Sequence, residues 1–108
     1  MCHICGNTNN LAAEVANTGV DIFSVDWQVD LAKAKEDLDG ATILGNLHPT
    51  DVIWKGTPEL IVKESKKCID AAAEGGKFIL GCGCDVPRDT ALENIAAMTE
   101  AAIKYGRY

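Results

Sequence analysis

Short unbroken apolar runs alternate with longer stretches of helical periodicity, and this alternation limits the chain to few folds. The apolar runs fall at residues 21–25 (DIFSV), 42–46 (TILGN) and 77–82 (KFILGC), after a stub at 2–5. Between them lie helical patterns with recognisable ends. Asn10 is placed to cap a helix through Asn17, with Gly19 as its stop. Asp30 is placed to cap a second, in which Leu31, Ala34 and Leu38 share a face and Gly40 ends the run. Thr57-Pro58 opens a long helix with Ile61, Ser65, Cys68, Ile69 and Ala72 at helical spacing. Thr90-Ala91-Leu92-Glu93 has the form of a capping box, and starts a helix with Leu92, Ile95, Thr99 and Ala102 on one side, ending at Gly106.

Buried strands joined by helices predict a parallel sheet covered by helices, so the fold class is α/β built from parallel βα units. Such units could form a small open sheet or part of a (β/α)₈ barrel. A whole barrel needs about 250 residues. Four units in 108 residues would make half of one, and residues 1–108 are read as one partial-barrel domain.

The net charge of −6 argues against nucleic acid, whose phosphates recruit Lys and Arg. No apolar run approaches the roughly 20 residues that span a bilayer, and residues 1–6 have neither the basic region nor the apolar core of a signal peptide. Five cysteines, an odd number, fit free thiols in a reducing cytoplasm better than a disulfide framework.

In parallel α/β folds ligands meet the C-terminal ends of the strands. Here those ends carry His3 and Cys5, then Asp26, then Asn46 and His48, then Cys82 and Cys84. Residues i and i+2 of a strand point to the same side, so His3 can converge with Cys5, and Cys82 with Cys84. Zinc takes thiolate and imidazole, and a catalytic zinc keeps three protein ligands and one open position. A His-x-Cys pair with a distant Cys suits that role, although cysteines on apolar strands also serve as core. Asp26 reads either as a loop carboxylate or as a polar contact to substrate. His48 reads as a solvated loop histidine, and Cys68 and Cys2 as packing residues.

Ser24-Val25-Asp26-Trp27, the segments 43–47 and 56–59, and Cys84-Asp85-Val86-Pro87 followed by 93–95 resemble, in order, the uroporphyrinogen decarboxylase superfamily. His3-Ile4-Cys5-Gly6 resembles the branch of methylcobamide:coenzyme M methyltransferases, where a His, a Cys and a late Cys hold zinc. The resemblance places those ligands on His3, Cys5 and Cys84, the last because it precedes Asp-Val-Pro, with Cys82 in reserve. It implies the C-terminal half of a (β/α)₈ barrel, with four βα units outside this chain. It also implies methyl transfer from a methylated corrinoid (methylcobamide), carried by a separate corrinoid protein, to a small zinc-bound thiol. Asp26 and Asn46 would then orient the reactants at the rim. His48 stands where that family usually has Asp before Pro. The competing readings are a metal-free decarboxylase-like protein and a truncated, non-catalytic, self-associating remnant. Open strand edges predict a homodimer or a complementing N-terminal half.

Overall fold

The computed structural model describes residues 1–107. Strands β1 (Cys2–Ile4), β2 (Ile22–Val25), β3 (Thr42–Leu47) and β4 (Phe78–Cys82) form one sheet in sequence order. Every pairing is parallel. Helices α1 (Ala12–Asn17), α2 (Leu31–Asp37), α3 (Pro58–Ala72) and α4 (Leu92–Tyr105) make the connections and close the chain, with a π-helical turn at Pro49–Trp54 before α3. The expected fold class, parallel βα units of the (β/α)₈ kind, is the one observed.

The register explains why the strands read as apolar. Cys2, Phe23, Ile43 and Phe78 stand side by side across the four strands and pack under the helices. The next row, His3, Ser24, Leu44 and Ile79, points to the opposite face by the period of two. His3 and Ile79 are exposed there. The result is a slab with Cα extents of 38 × 29 × 18 Å, in which the helices pack on one face of the sheet.

Asp30 caps α2 as expected, accepting hydrogen bonds from the N–H groups of Ala32 and Lys33, and Leu31, Ala34 and Leu38 are buried. Thr57 caps α3 by accepting from Leu60 N–H. Two expected caps differ. Helix α1 begins one residue later, from Leu11 with no side-chain cap. The neighbouring Asn9 is instead spent on tertiary contacts, accepting from Asp30 N–H and donating to Gln28 O. The Thr90 capping box does not form. Thr90 Oγ1 donates to Pro87 O, closing the preceding turn, and Ala91 stands at the N-cap.

Helix α4 turns inward a side other than the one that carries Leu92, Ile95, Thr99 and Ala102. Asn94, Ala97 and Ala101 are buried against α3 and the π-helical turn, while Leu92 and Ile103 are 78% and 60% exposed. The helix has two apolar stripes, and periodicity alone could not choose between them. Small side chains at Ala97 and Ala101 let the two helices approach closely. Asn94 then reaches past them, donating to Ile53 O and Gly56 O and fixing the turn's carbonyls.

Candidate metal centre

Strand β1 delivers His3 and Cys5 to one side, with Cys5 Sγ 3.3 Å from His3 Nε2. The ring is oriented by the next strand. His3 Nδ1 lies 3.0 Å from Ser24 O and 2.9 Å from Ser24 Oγ, its partner in the parallel register. A carbonyl only accepts, so Nδ1 carries the proton and Nε2 turns its lone pair toward Cys5. This is the outer hydrogen bond that fixes tautomer and ring direction in metal-binding histidines. Ser24 was not anticipated as a site residue. Its only sequence signal is its parity, which acquires meaning once the register with His3 is known.

The third group arrives from the far edge of the sheet. Cys84 follows β4, three strands from β1, yet its Sγ is 3.7 Å from Cys5 Sγ. The loop crosses the top of the sheet because Gly83 allows it. Gly83 N–H donates to Leu47 O at the end of β3, and a Cβ on Gly83 would sit 2.5 Å from Trp27 N at the end of β2. Cys82 goes the other way, half-buried against the cluster of Leu47, Ile53, Ile61 and Ala97, where burial pushes its thiol up. Of the two late cysteines, Cys84 is the one brought to His3 and Cys5.

One donor atom from each of His3, Cys5 and Cys84 lies within 4.8 Å of the other two. Around a tetrahedral zinc, a nitrogen at about 2.0 Å and a sulfur at about 2.3 Å stand roughly 3.5 Å apart, and two such sulfurs roughly 3.8 Å. The separations of 3.3 and 3.7 Å therefore fit a zinc ion with little rearrangement. Electrostatics agree with a cation. A hydrogen bond donated by the Cys5 thiol to Cys84, then repulsion from negative charge on Cys84, desolvation and the carboxylates of Asp26 and Asp85 push the Cys5 thiol up. Two adjacent thiolates are unfavourable without a cation, and a bound dication reverses the sign of that argument.

Asp26 is buried at the end of β2. Burial alone would raise its pKa, but backbone hydrogen bonds from Gly6 and Gln28, with His3 nearby, hold it below the usual carboxylate range. It thereby ties the turn after Cys5 to the end of β2. Asn46 is buried as well, donating from Nδ2 to Asp26 O and Val29 O while its Oδ1 lies 3.7 Å from Cys68 Sγ. Its amide holds the loop after β2.

His48 differs from the solvated histidine expected. Its Nδ1 accepts from the N–H groups of Thr50 and Asp51, capping the π-helical turn, and its ring lies 4.1 Å from that of Trp27. An unprotonated ring nitrogen here does the N-cap work of a carboxylate, which explains how His can stand where the resembling family has Asp.

A parallel βα sheet with an imidazole and two thiols converging at its C-terminal rim defines a protein of the (β/α)-barrel class with a thiol-rich rim that could hold a metal ion. Comparison with known proteins makes the class specific. The uroporphyrinogen decarboxylase (URO-D) family profile matches residues 1–105, and the chain belongs to that family. It is 44% identical over 105 residues to the methylcobamide:CoM methyltransferase MtbA of Methanosarcina mazei, a match covering 97% of this chain and 30% of that protein. It is 33% identical to the uroporphyrinogen decarboxylase of Chlorobium phaeobacteroides, over 90% of this chain and 29% of the relative. A solved methyltransferase structure from Methanosarcina mazei superposes with a TM-score of 0.85 at 28% identity, covering 97% of this chain and 31% of that one. The chain thus spans about three-tenths of the length of these relatives. Among the described residues no helix is long and apolar enough to cross a membrane.

Proposed function

We propose that this chain is the metal-bearing part of a zinc-dependent methyltransferase site, with His3, Cys5 and Cys84 as ligands. The observation that carries the reading is the convergence of the three donor atoms, all within 4.8 Å of one another, with Cys5 Sγ 3.3 Å from His3 Nε2 and 3.7 Å from Cys84 Sγ. The names of the relatives supply the reaction class: methyl transfer from a methylated corrinoid to a thiol such as coenzyme M. Zinc with one open position would keep the substrate thiol deprotonated and nucleophilic at neutral pH. Ser24 holds His3 in the ligating tautomer, and Gly83 admits the loop that carries Cys84. Asp26 and Asn46 act by positioning, since their hydrogen bonds fix the turn after Cys5 and the loop after β2. In this reading the methyl donor is presented by a separate corrinoid protein, and the compartment is the cytoplasm.

The chain acts as one partial-barrel domain needing a partner. Among the described residues β1 and β4 each pair on one side only. Open edges favour pairing with another chain, and a two-fold homodimer is the simplest closure, with a complementing N-terminal half as the other. Zinc-loaded protein mixed with a small thiol and methylcobalamin tests the function: thiol methylation with loss of the methylcobalamin spectrum supports it. Bound zinc without methyl transfer favours a non-catalytic remnant. Protein with affinity for neither zinc nor thiol favours the decarboxylase-like reading.

A further inference from the structure

We infer that Cys5 and Cys84 also form an oxidation site, at which a low-molecular-weight disulfide converts the two thiols into an intramolecular disulfide. The pair is singled out by position. Cys5 Sγ and Cys84 Sγ are 3.7 Å apart, Cys5 is exposed, and Cys84 is half-buried in a loop. A disulfide requires about 2.05 Å, so closure needs a shift of only about 1.7 Å. The two residues are 79 apart in sequence, and the bond would tie the first strand to the loop after the last. The remaining cysteines are placed otherwise. Cys2 and Cys68 pack against the helical core, and Cys82 packs among Leu47, Ile53, Ile61 and Ala97.

The chemistry balances as two thiol–disulfide exchanges. The Cys5 thiolate attacks one sulfur of oxidised glutathione, forming a mixed disulfide and expelling glutathione thiolate. The Cys84 thiolate then attacks the Cys5 sulfur, forming the Cys5–Cys84 bond and expelling a second glutathione thiolate. The two protein thiols lose two electrons and two protons, which end on two molecules of reduced glutathione. Because the same sulfurs are the proposed zinc ligands, metal and disulfide exclude one another. Zinc would protect the site from oxidation, and oxidation would block zinc loading.

The test uses the full chain, stripped of metal by chelation and incubated with oxidised glutathione. Remaining thiols are alkylated, and the cross-links are mapped by mass spectrometry. The expected product is a Cys5–Cys84 link exceeding the mixed disulfide by more than about tenfold, because a neighbouring thiol held in contact has a high effective molarity. Cys84→Ser should convert that product to a stable glutathione adduct on Cys5, while Cys82→Ser should leave the link unchanged. Links dominated by Cys82, or adducts persisting separately on Cys5 and Cys84, would overturn the inference. A second arm, with zinc added before oxidation, separates this inference from the functional reading. Suppression of the link supports both. A link forming equally fast with and without zinc keeps the oxidation site and overturns the zinc ligation.

Discussion

Replacing Gly83 by Ala tests how the third ligand reaches the site. The φ of Gly83 lies outside the left-handed region, so backbone strain plays no part and the argument is one of space. A Cβ there would meet Trp27 N at 2.5 Å, Cα at 2.8 Å and Cβ at 2.9 Å. Ordinary carbon contacts begin near 3.5 Å, so the loop must retreat by about 1 Å. The obstacle is mainly backbone, which cannot rotate aside. Overpacking of this kind costs roughly 1 to 3 kcal/mol of stability. The larger effect is on metal, because Cys84 is the next residue and moves with the loop. A metal site tolerates ligand displacements of only about 0.2 Å. The expected loss of zinc affinity is therefore at least tenfold, within the range of about 10- to 100-fold seen when ligand orientation is disturbed. Competition against a chromophoric zinc chelator measures the affinity, and urea unfolding of metal-free protein measures the stability. Wild-type zinc affinity in Gly83→Ala would refute the claim that this close approach places Cys84.

Other predictions concern titration and packing. Zinc must displace protons from two thiols and needs a neutral imidazole, so its affinity should fall from pH 8 to pH 5, and a flat titration would contradict the ligand set. Cys68, raised above its ordinary 9.0 by burial, favours the neutral thiol in the folded state. Its contribution is therefore present below pH 9.0 and lost as pH rises through the folded value, and in Cys68→Ala that part of the alkaline loss should vanish from urea midpoints. Ser65 Oγ is fully buried in α3 with no hydrogen-bond partner among the described residues. Ser65→Ala should hold or raise stability, by up to about 1 kcal/mol, because an unsatisfied hydroxyl is removed. A loss beyond about 1 kcal/mol in thermal unfolding would mean that the hydroxyl has a partner.

Much of this was legible in the sequence because it is periodic. The alternation of apolar runs with helices carried the parallel sheet, and the i, i+2 spacing of His3 and Cys5 placed both on one side of β1. What could not be read depends on contacts between distant segments. Ser24 matters only through its register with His3. The inward stripe of α4 is Asn94, Ala97 and Ala101 and not the side with Leu92 and Ile95, a choice made by packing against α3. Thr90 has the right residue type for a cap, but its hydroxyl is taken by Pro87 O. His48 caps a π-helical turn that has no periodic signature. Choosing Cys84 over Cys82 needed the family motif, since spacing alone allowed either.

The ligation of zinc by His3, Cys5 and Cys84 is tested most directly by X-ray absorption at the zinc edge on protein purified without added metal. The account predicts close to one zinc per chain, with two sulfurs at about 2.3 Å and one nitrogen at about 2.0 Å. Cys84→Ala should remove one sulfur, and Cys82→Ala should leave the spectrum unchanged. A shell of nitrogen and oxygen alone, or a sulfur lost with Cys82 and kept without Cys84, would contradict it.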